Sequence, residues 1–210
     1  MPYRRTPRVQ ARLDTQRAAI VAAATDLLAD RGYAGCSMAA VAARAGVATG
    51  TVYKHFPGKA DLAVELFRTV VDREVAAVHD AMALPGTATE RVVAFLETFA
   101  GRALKSPRLA YALLAEPVDP AVEAERLVFR RTFRDAAAKQ IAEAVRENAL
   151  PPQDPELAAA ALIGAVGEVL VGPLADGQPH PDVVPNLVSF ALRALGTSKQ
   201  TLGASDAGHP

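Results

Sequence analysis

A single cysteine, Cys36, stands in 210 residues. No intrachain disulfide can form, and nothing points to an oxidising compartment. Alternation of β-branched residues is nearly missing, which removes the period-two signal of a sheet protein. The basic, turn-rich start Met1-Pro2-Tyr3-Arg4-Arg5-Thr6-Pro7-Arg8 is not followed by the apolar stretch that a secretory signal needs, so a cytoplasmic chain is expected. There is no internal repeat. Catalytic signatures are lacking too: no Gly-x-Ser-x-Gly elbow, no His-Glu-x-x-His and no Gly-x-Gly-x-x-Gly. Gly58-Lys59 looks like the end of a phosphate loop. However, Ala60 replaces the required Ser or Thr, and Tyr53 stands where the first glycine belongs. His55, His79, His180 and His209 lack metal-ligand spacing. Neither an enzyme, a metal nor a cofactor is expected.

What is present starts with hydrophobic residues, half of the chain, enough to bury a core. The formal net charge of zero hides an asymmetry: residues 1–60 hold nine Lys/Arg against three Asp/Glu, and the remainder is correspondingly acidic. A basic head therefore sits on an acidic body. Local positive charge is what a polyanion responds to, because each neutralised phosphate releases counterions. A solvated basic face without a partner has the same composition.

Apolar residues recur at helical spacing from residue 14 to residue 195, which predicts an all-α protein of about nine helices. Asp14 or Thr15 is the expected N-cap of a first helix, striped by Ile20, Ala23, Ala24, Leu27 and Leu28 and stopped near Arg31-Gly32. Ser37 can cap a second through about Ala45, Gly46 supplies a turn, and a third over 49–55 ends before Pro57. A long helix over about 59–82 links head to body. Further helices are expected near 87–105, 107–115, 119–148, 154–173 and 181–195. This divides the chain into a flexible basic arm (1–13), a three-helix head (14–58), a helical bundle (59–195) and a disordered tail (196–210). Leu157 to Ala175 is apolar enough to raise a membrane span. Its alanines and glycines, Glu168 and a break at Pro173 favour a helix buried by protein instead.

From Ser37 to Phe56 a short helix, a glycine turn and a second short helix fit a helix-turn-helix. Val41, Val47, Val52 and Phe56 take the inward positions, with Ala42 small where the helices cross. Thr49, Thr51, Tyr53, Lys54 and His55 face out. Hydroxyls, a lysine, a histidine and a tyrosine suit phosphates and base edges, and Gly50 leaves room for close backbone approach. Tyr53 and Phe56 also read as core aromatics, and Lys54 as a solvated lysine. Cys36, just before the second helix, reads as inert or as a redox sensor.

The run Gly46-Val47-Ala48-Thr49-Gly50-Thr51-Val52-Tyr53-Lys54-His55-Phe56-Pro57-Gly58-Lys59-Ala60-Asp61-Leu62 resembles the signature of the TetR family of repressors over roughly residues 14–64. The resemblance implies a recognition helix at 49–55 in the major groove and phosphate contacts from Tyr53, His55 and Lys59. It also implies backbone contacts from Ser37 and Arg44, and a homodimer straddling a palindromic double-stranded DNA operator. Ala48 departs from the usual Ser or Thr, so the recognition helix loses a cap or Thr49 takes over.

In the body, the resemblance implies a cavity for a small-molecule effector that releases the repressor. Phe95, Phe99, Phe129 and Phe133 are its apolar candidates, which also read as core, and Tyr111, Arg130 and Glu168 its polar ones. Arg126, Arg130, Arg131 and Arg134 with Glu123, Glu125 and Asp135 equally make a solvated face. Dimerisation is expected through Ala161, Gly164, Ala165 and Val169 with Val184, Leu187, Val188, Ala191 and Leu195, where small residues permit close approach; the same surface also reads as packing inside one subunit. The competing reading is a helical scaffold or adaptor whose basic head binds an acidic protein or a membrane surface.

Overall fold

A computed structural model of the chain describes residues 6–176 and 181–197. Among them lie nine helices and no strand: α1 (Pro7–Arg31), α2 (Met38–Ala45), α3 (Thr49–His55), α4 (Lys59–Met82), α5 (Ala88–Lys105), α6 (Pro107–Leu114), α7 (Pro120–Arg146), α8 (Pro155–Asp176) and α9 (Val183–Ala194). Proline opens four of these, where its fixed φ suits the first turn and its missing N–H costs nothing.

Two boundaries differ from expectation. Helix α1 starts at Pro7 rather than at Asp14 or Thr15, so the arm expected over 1–13 is helical from residue 7; residues 1–5 lie outside the described residues. The first turns carry no apolar stripe because they are exposed. Local bonds hold them: Gln10 Nε2 donates to Asp14 at 2.8 Å and Thr15 Oγ1 to the Ala11 carbonyl at 2.9 Å. Helix α8 continues through Pro173 to Asp176. So near a C-terminus the ring costs one hydrogen bond and does not end the helix. The expected tail over 196–210 falls mostly outside the described residues; Gly196, at φ +84°, and Thr197 close the end of α9.

The chain divides into two compact units that do not follow sequence order. The first runs to Arg73 and includes Ser106–Leu127; the second joins Glu74–Lys105 to the described residues from Val128 onward. The boundary expected at 58/59 therefore moves: half of α4, all of α6 and the start of α7 belong with the head. The reason is apolar surface. Helix α6 packs on α1, and Leu66, Phe67, Leu113 and Val122 are all buried in this unit. Full burial of each such side chain is worth about 1.5–3 kcal/mol.

Within the first unit, Ile20, Leu27, Val41, Ala42, Val52, Phe56 and Leu62 form the core of the head. Gly46, at φ +66°, makes the left-handed turn after α2, and the Val47 N–H returns to the Ala42 carbonyl at 3.0 Å. Arg17 ties three elements together, donating to Glu65 of α4 at 2.6 Å with its guanidinium 4.9 Å from the Phe56 ring centre. That hydrogen bond holds the Glu65 carboxyl below its usual range. Gly32 ends α1 at φ +68°, ψ −175°, a region essentially reserved for glycine. A Cβ there would also stand 3.0 Å from Glu116 Oε2. Gly32→Ala is therefore expected to lower the melting temperature by roughly 3–10 °C. A variant melting with the parent in a circular-dichroism scan would show that this turn is not strained.

In the second unit, α5 packs against α8 and α9. Phe95, Leu96, Leu162, Val166, Leu170, Leu187, Ala191 and Leu195 are buried there. Three residues expected to face a partner subunit, Leu187, Ala191 and Leu195, thus belong to the chain's own core, because α9 needs its apolar stripe to pack on α5. Ala161, Gly164 and Val169 are exposed, and Ala165, Val184 and Val188 are half-buried. Helix α8 is long and apolar enough to cross a membrane by length and composition, with a mean hydropathy of 1.9. One stripe of it, including Leu162, Val166 and Leu170, is buried by protein.

Candidate nucleic-acid interface

Helix α2, the Gly46 turn and α3 present one face. Thr49, Gly50, Tyr53 and Lys54 are exposed, and Thr51 is half-buried. Tyr53 is 51% exposed whereas Phe56 is 2% exposed, which separates the two aromatics: Phe56 is core and Tyr53 is not. A Cβ on Gly50 would meet nothing within 4 Å, so another molecule's backbone can approach there. Ala48 occupies the N-cap of α3 and offers no side-chain bond. Thr49 is the first helical residue and does not replace it.

The remaining predicted contacts are already engaged within the protein. Ser37 Oγ accepts from the Ala40 N–H at 3.1 Å and caps α2. Arg44 Nη2 lies 2.9 Å from Asp30 Oδ2 on the surface, a pair that an incoming phosphate can exchange at little cost. His55 Nε2 is 3.0 Å from Gln16 Oε1, which orients the ring from α1. Lys59, the first residue of α4, holds its Nζ 4.2 Å from the centre of the Tyr33 ring. Cys36 is buried, its Sγ facing the carbonyls of Gly32 and Ala24 at 3.5 and 3.7 Å. Burial pushes its thiol up to about 11, and a scarce thiolate argues for the inert reading.

Sequence reasoning missed the support behind this face. The Tyr33 N–H donates to Glu116 Oε2 at 2.8 Å, the Ala34 N–H to Glu116 Oε1 at 3.3 Å, and the Tyr33 hydroxyl to Asp119. Arg126, 6% exposed, fixes the turn that carries Glu116 and Asp119, donating to the carbonyls of Leu113 at 2.8 Å, Glu116 at 2.7 Å and Ala112 at 3.2 Å. These partners are more than eighty residues from Tyr33, beyond any periodicity or spacing signal.

The predicted effector residues are only partly brought together. Phe95, Phe99, Phe129 and Phe133 form one cluster, with ring centres 4.5 Å apart for Phe129 and Phe133 and 5.1 Å for Phe99 and Phe133. Arg130 and Glu168 are exposed and do not join it, since both lie on helix faces turned to solvent. Tyr111 is half-buried in the other unit. The buried arginine of α7 is Arg126, and it is spent on backbone carbonyls and on the Glu123 carboxylate at 2.5 Å. Arg134, next in sequence to Phe133, has a buried Nε without a hydrogen-bond partner among the described residues.

The family model of the bacterial regulatory proteins, tetR family, matches residues 20–66. The HTH-type transcriptional activator FasR of Mycolicibacterium smegmatis is 33% identical over 86 residues, covering 41% of this chain and 39% of that protein. The fatty acid metabolism regulator protein of Bacillus subtilis is 30% identical over 73 residues, 35% of this chain and 38% of that protein. The matches thus span about two fifths of these relatives' length. The fold is shared over most of the chain with the fatty acid degradation regulator FadR of Bacillus halodurans, at TM-score 0.75 and 19% identity, covering 94% of this chain and 99% of that one. FadR of Bacillus subtilis in complex with stearoyl-CoA is similar at TM-score 0.74 and 19% identity, covering 86% and 98%. Residues 20–66 thus match the tetR family of bacterial regulatory proteins, and the chain as a whole shares the all-helical fold of the FadR structures.

Proposed function

We propose that the protein is a cytoplasmic transcription regulator that binds a palindromic operator as a homodimer through α3 and represses where the operator overlaps a promoter. The observation that carries this reading is the exposed face of α3, with Thr49, Gly50, Tyr53 and Lys54 on one side and Val52 and Phe56 in the core behind them. A helix of two turns reads few bases, so a second head is needed to reach operator affinity. The surface for it is the unpartnered side of α8 and α9: Leu157, Ala161, Gly164, Val169 and Phe190 are exposed there. Apolar exposure of this kind marks an interface in a soluble chain.

The same reading assigns a small-molecule effector to the second unit, beside the Phe95, Phe99, Phe129 and Phe133 cluster. Stearoyl-CoA, present in the Bacillus subtilis FadR structure, is the first compound to test. An apolar chain suits four phenyl rings, and the unpartnered Arg134 Nε offers a donor to an anionic head.

Fluorescence anisotropy on duplexes from the DNA upstream of the coding gene tests this. A palindrome should bind with steep salt dependence, and stearoyl-CoA should release it. Thr49→Ala and Thr51→Ala should change which duplex is preferred, because hydroxyls at base edges specify while phosphate contacts only position. Equal affinity for every sequence in the parent would favour the adaptor reading, in which a basic head meets any acidic surface.

A further inference from the structure

Lys59, a phosphate contact in the proposed reading, is restrained by an aromatic ring of the protein itself. Its ammonium lies over the Tyr33 ring, 4.2 Å from the centre, at the first turn of α4. A lysine stem has many rotamers, and an aromatic face selects those that place the charge above it. The ammonium's donors directed away from the ring stay free for phosphate oxygens. Tyr33 is held at both ends. Its N–H donates to Glu116 at 2.8 Å and its hydroxyl to Asp119, both in the turn between α6 and α7. That turn is pinned by Arg126 on the Glu116 carbonyl at 2.7 Å. Burial and the Asp119 carboxylate also raise the Tyr33 phenol, which keeps it a neutral donor.

We propose that Tyr33 is a positioning residue for DNA binding: its ring holds Lys59 at the phosphate-facing end of α4, and Glu116 and Asp119 of the α6–α7 turn hold Tyr33. This rests on the reading of the head as a DNA-binding unit. Its consequence is that two carboxylates unable to attract DNA themselves set the geometry of a DNA contact. Displacing their turn loosens Lys59 without touching the recognition helix.

The test uses the full chain and two readouts. The first is the upfield ring-current shift of the Lys59 side-chain methylenes in proton–carbon spectra. The second is affinity for the palindromic duplex as a function of salt. Tyr33→Leu should abolish the shift, weaken binding about tenfold and flatten the salt slope by roughly one to two, since each head loses one phosphate contact. In a Lys59→Ala background the same change should cost nothing further. Tyr33→Phe keeps the ring but loses the Asp119 anchor, and Glu116→Gln weakens the grip on Tyr33. Both should reduce the shift with the melting temperature nearly unchanged. Should Tyr33→Leu prove unfolded, these two carry the decision alone. The proposal is overturned if the Lys59 shift survives Tyr33→Leu, or if Tyr33→Leu costs as much with Lys59→Ala as without it. If the parent binds no duplex, the DNA reading fails, while the Lys59 shifts still decide whether Tyr33 and its turn hold the lysine.

Discussion

Gly164→Glu should yield a folded, helical monomer that no longer protects a palindromic operator. Gly164 is exposed near the middle of α8, and a Cβ there would meet nothing within 4 Å of its own subunit. Within the subunit the change is favourable, because glycine in a helix interior costs about 1 kcal/mol relative to alanine and glutamate is a good helix former. Against a partner it is costly. Small residues along α8 permit close approach of another helix, and a carboxylate buried there without a partner is worth about 3–5 kcal/mol of lost association. Separating the two heads forfeits the effective concentration of the second, so operator affinity should fall by about 10²–10⁴. Sedimentation reports the oligomer and anisotropy the affinity. A Gly164→Glu protein that sediments as a dimer and binds normally would put the interface on another surface.

The same exchange at Gly50 should abolish operator binding by a different route. Gly50 is exposed in the first turn of α3, and its Cβ position is open to 4 Å. Glutamate near a helix N-terminus is stabilising, so the head should fold at least as well as the parent. On DNA, the new side chain occupies the space that close backbone approach requires and brings a negative charge against phosphates. With each head losing about 1–3 kcal/mol, the dimer should bind about 10²–10⁴-fold more weakly. It should still sediment as a dimer, which distinguishes it from Gly164→Glu. Retention of operator affinity by a Gly50→Glu dimer would mean that α3 does not enter the groove.

Much of this was legible in the sequence because the relevant signals are local. Apolar spacing, Gly46 and Pro57 set element type and order. The helix-turn-helix is defined by contiguous residues, so Val52 and Phe56 inside and Tyr53 and Lys54 outside follow from a single stretch of 3.6-residue periodicity. Charge asymmetry along the chain marked the same end.

What only the tertiary structure decided concerns partners distant in sequence. Periodicity says that α9 has an apolar stripe, but not whether α5 or a second subunit covers it; packing gave Leu187, Ala191 and Leu195 to α5. Composition grouped Arg126 with Arg130, and only burial put the first among backbone carbonyls and left the second exposed. Exposed helical turns carry no stripe, which hid the start of α1 until its local hydrogen bonds were seen. Tyr33 meets Glu116 and Asp119 because α6 packs on α1. The sequence by itself determined which elements form and which face of each is apolar, since those depend on near neighbours along the chain. Which apolar face meets which, and which charged groups are thereby buried, only the folded chain decides, because that is a competition among all faces at once.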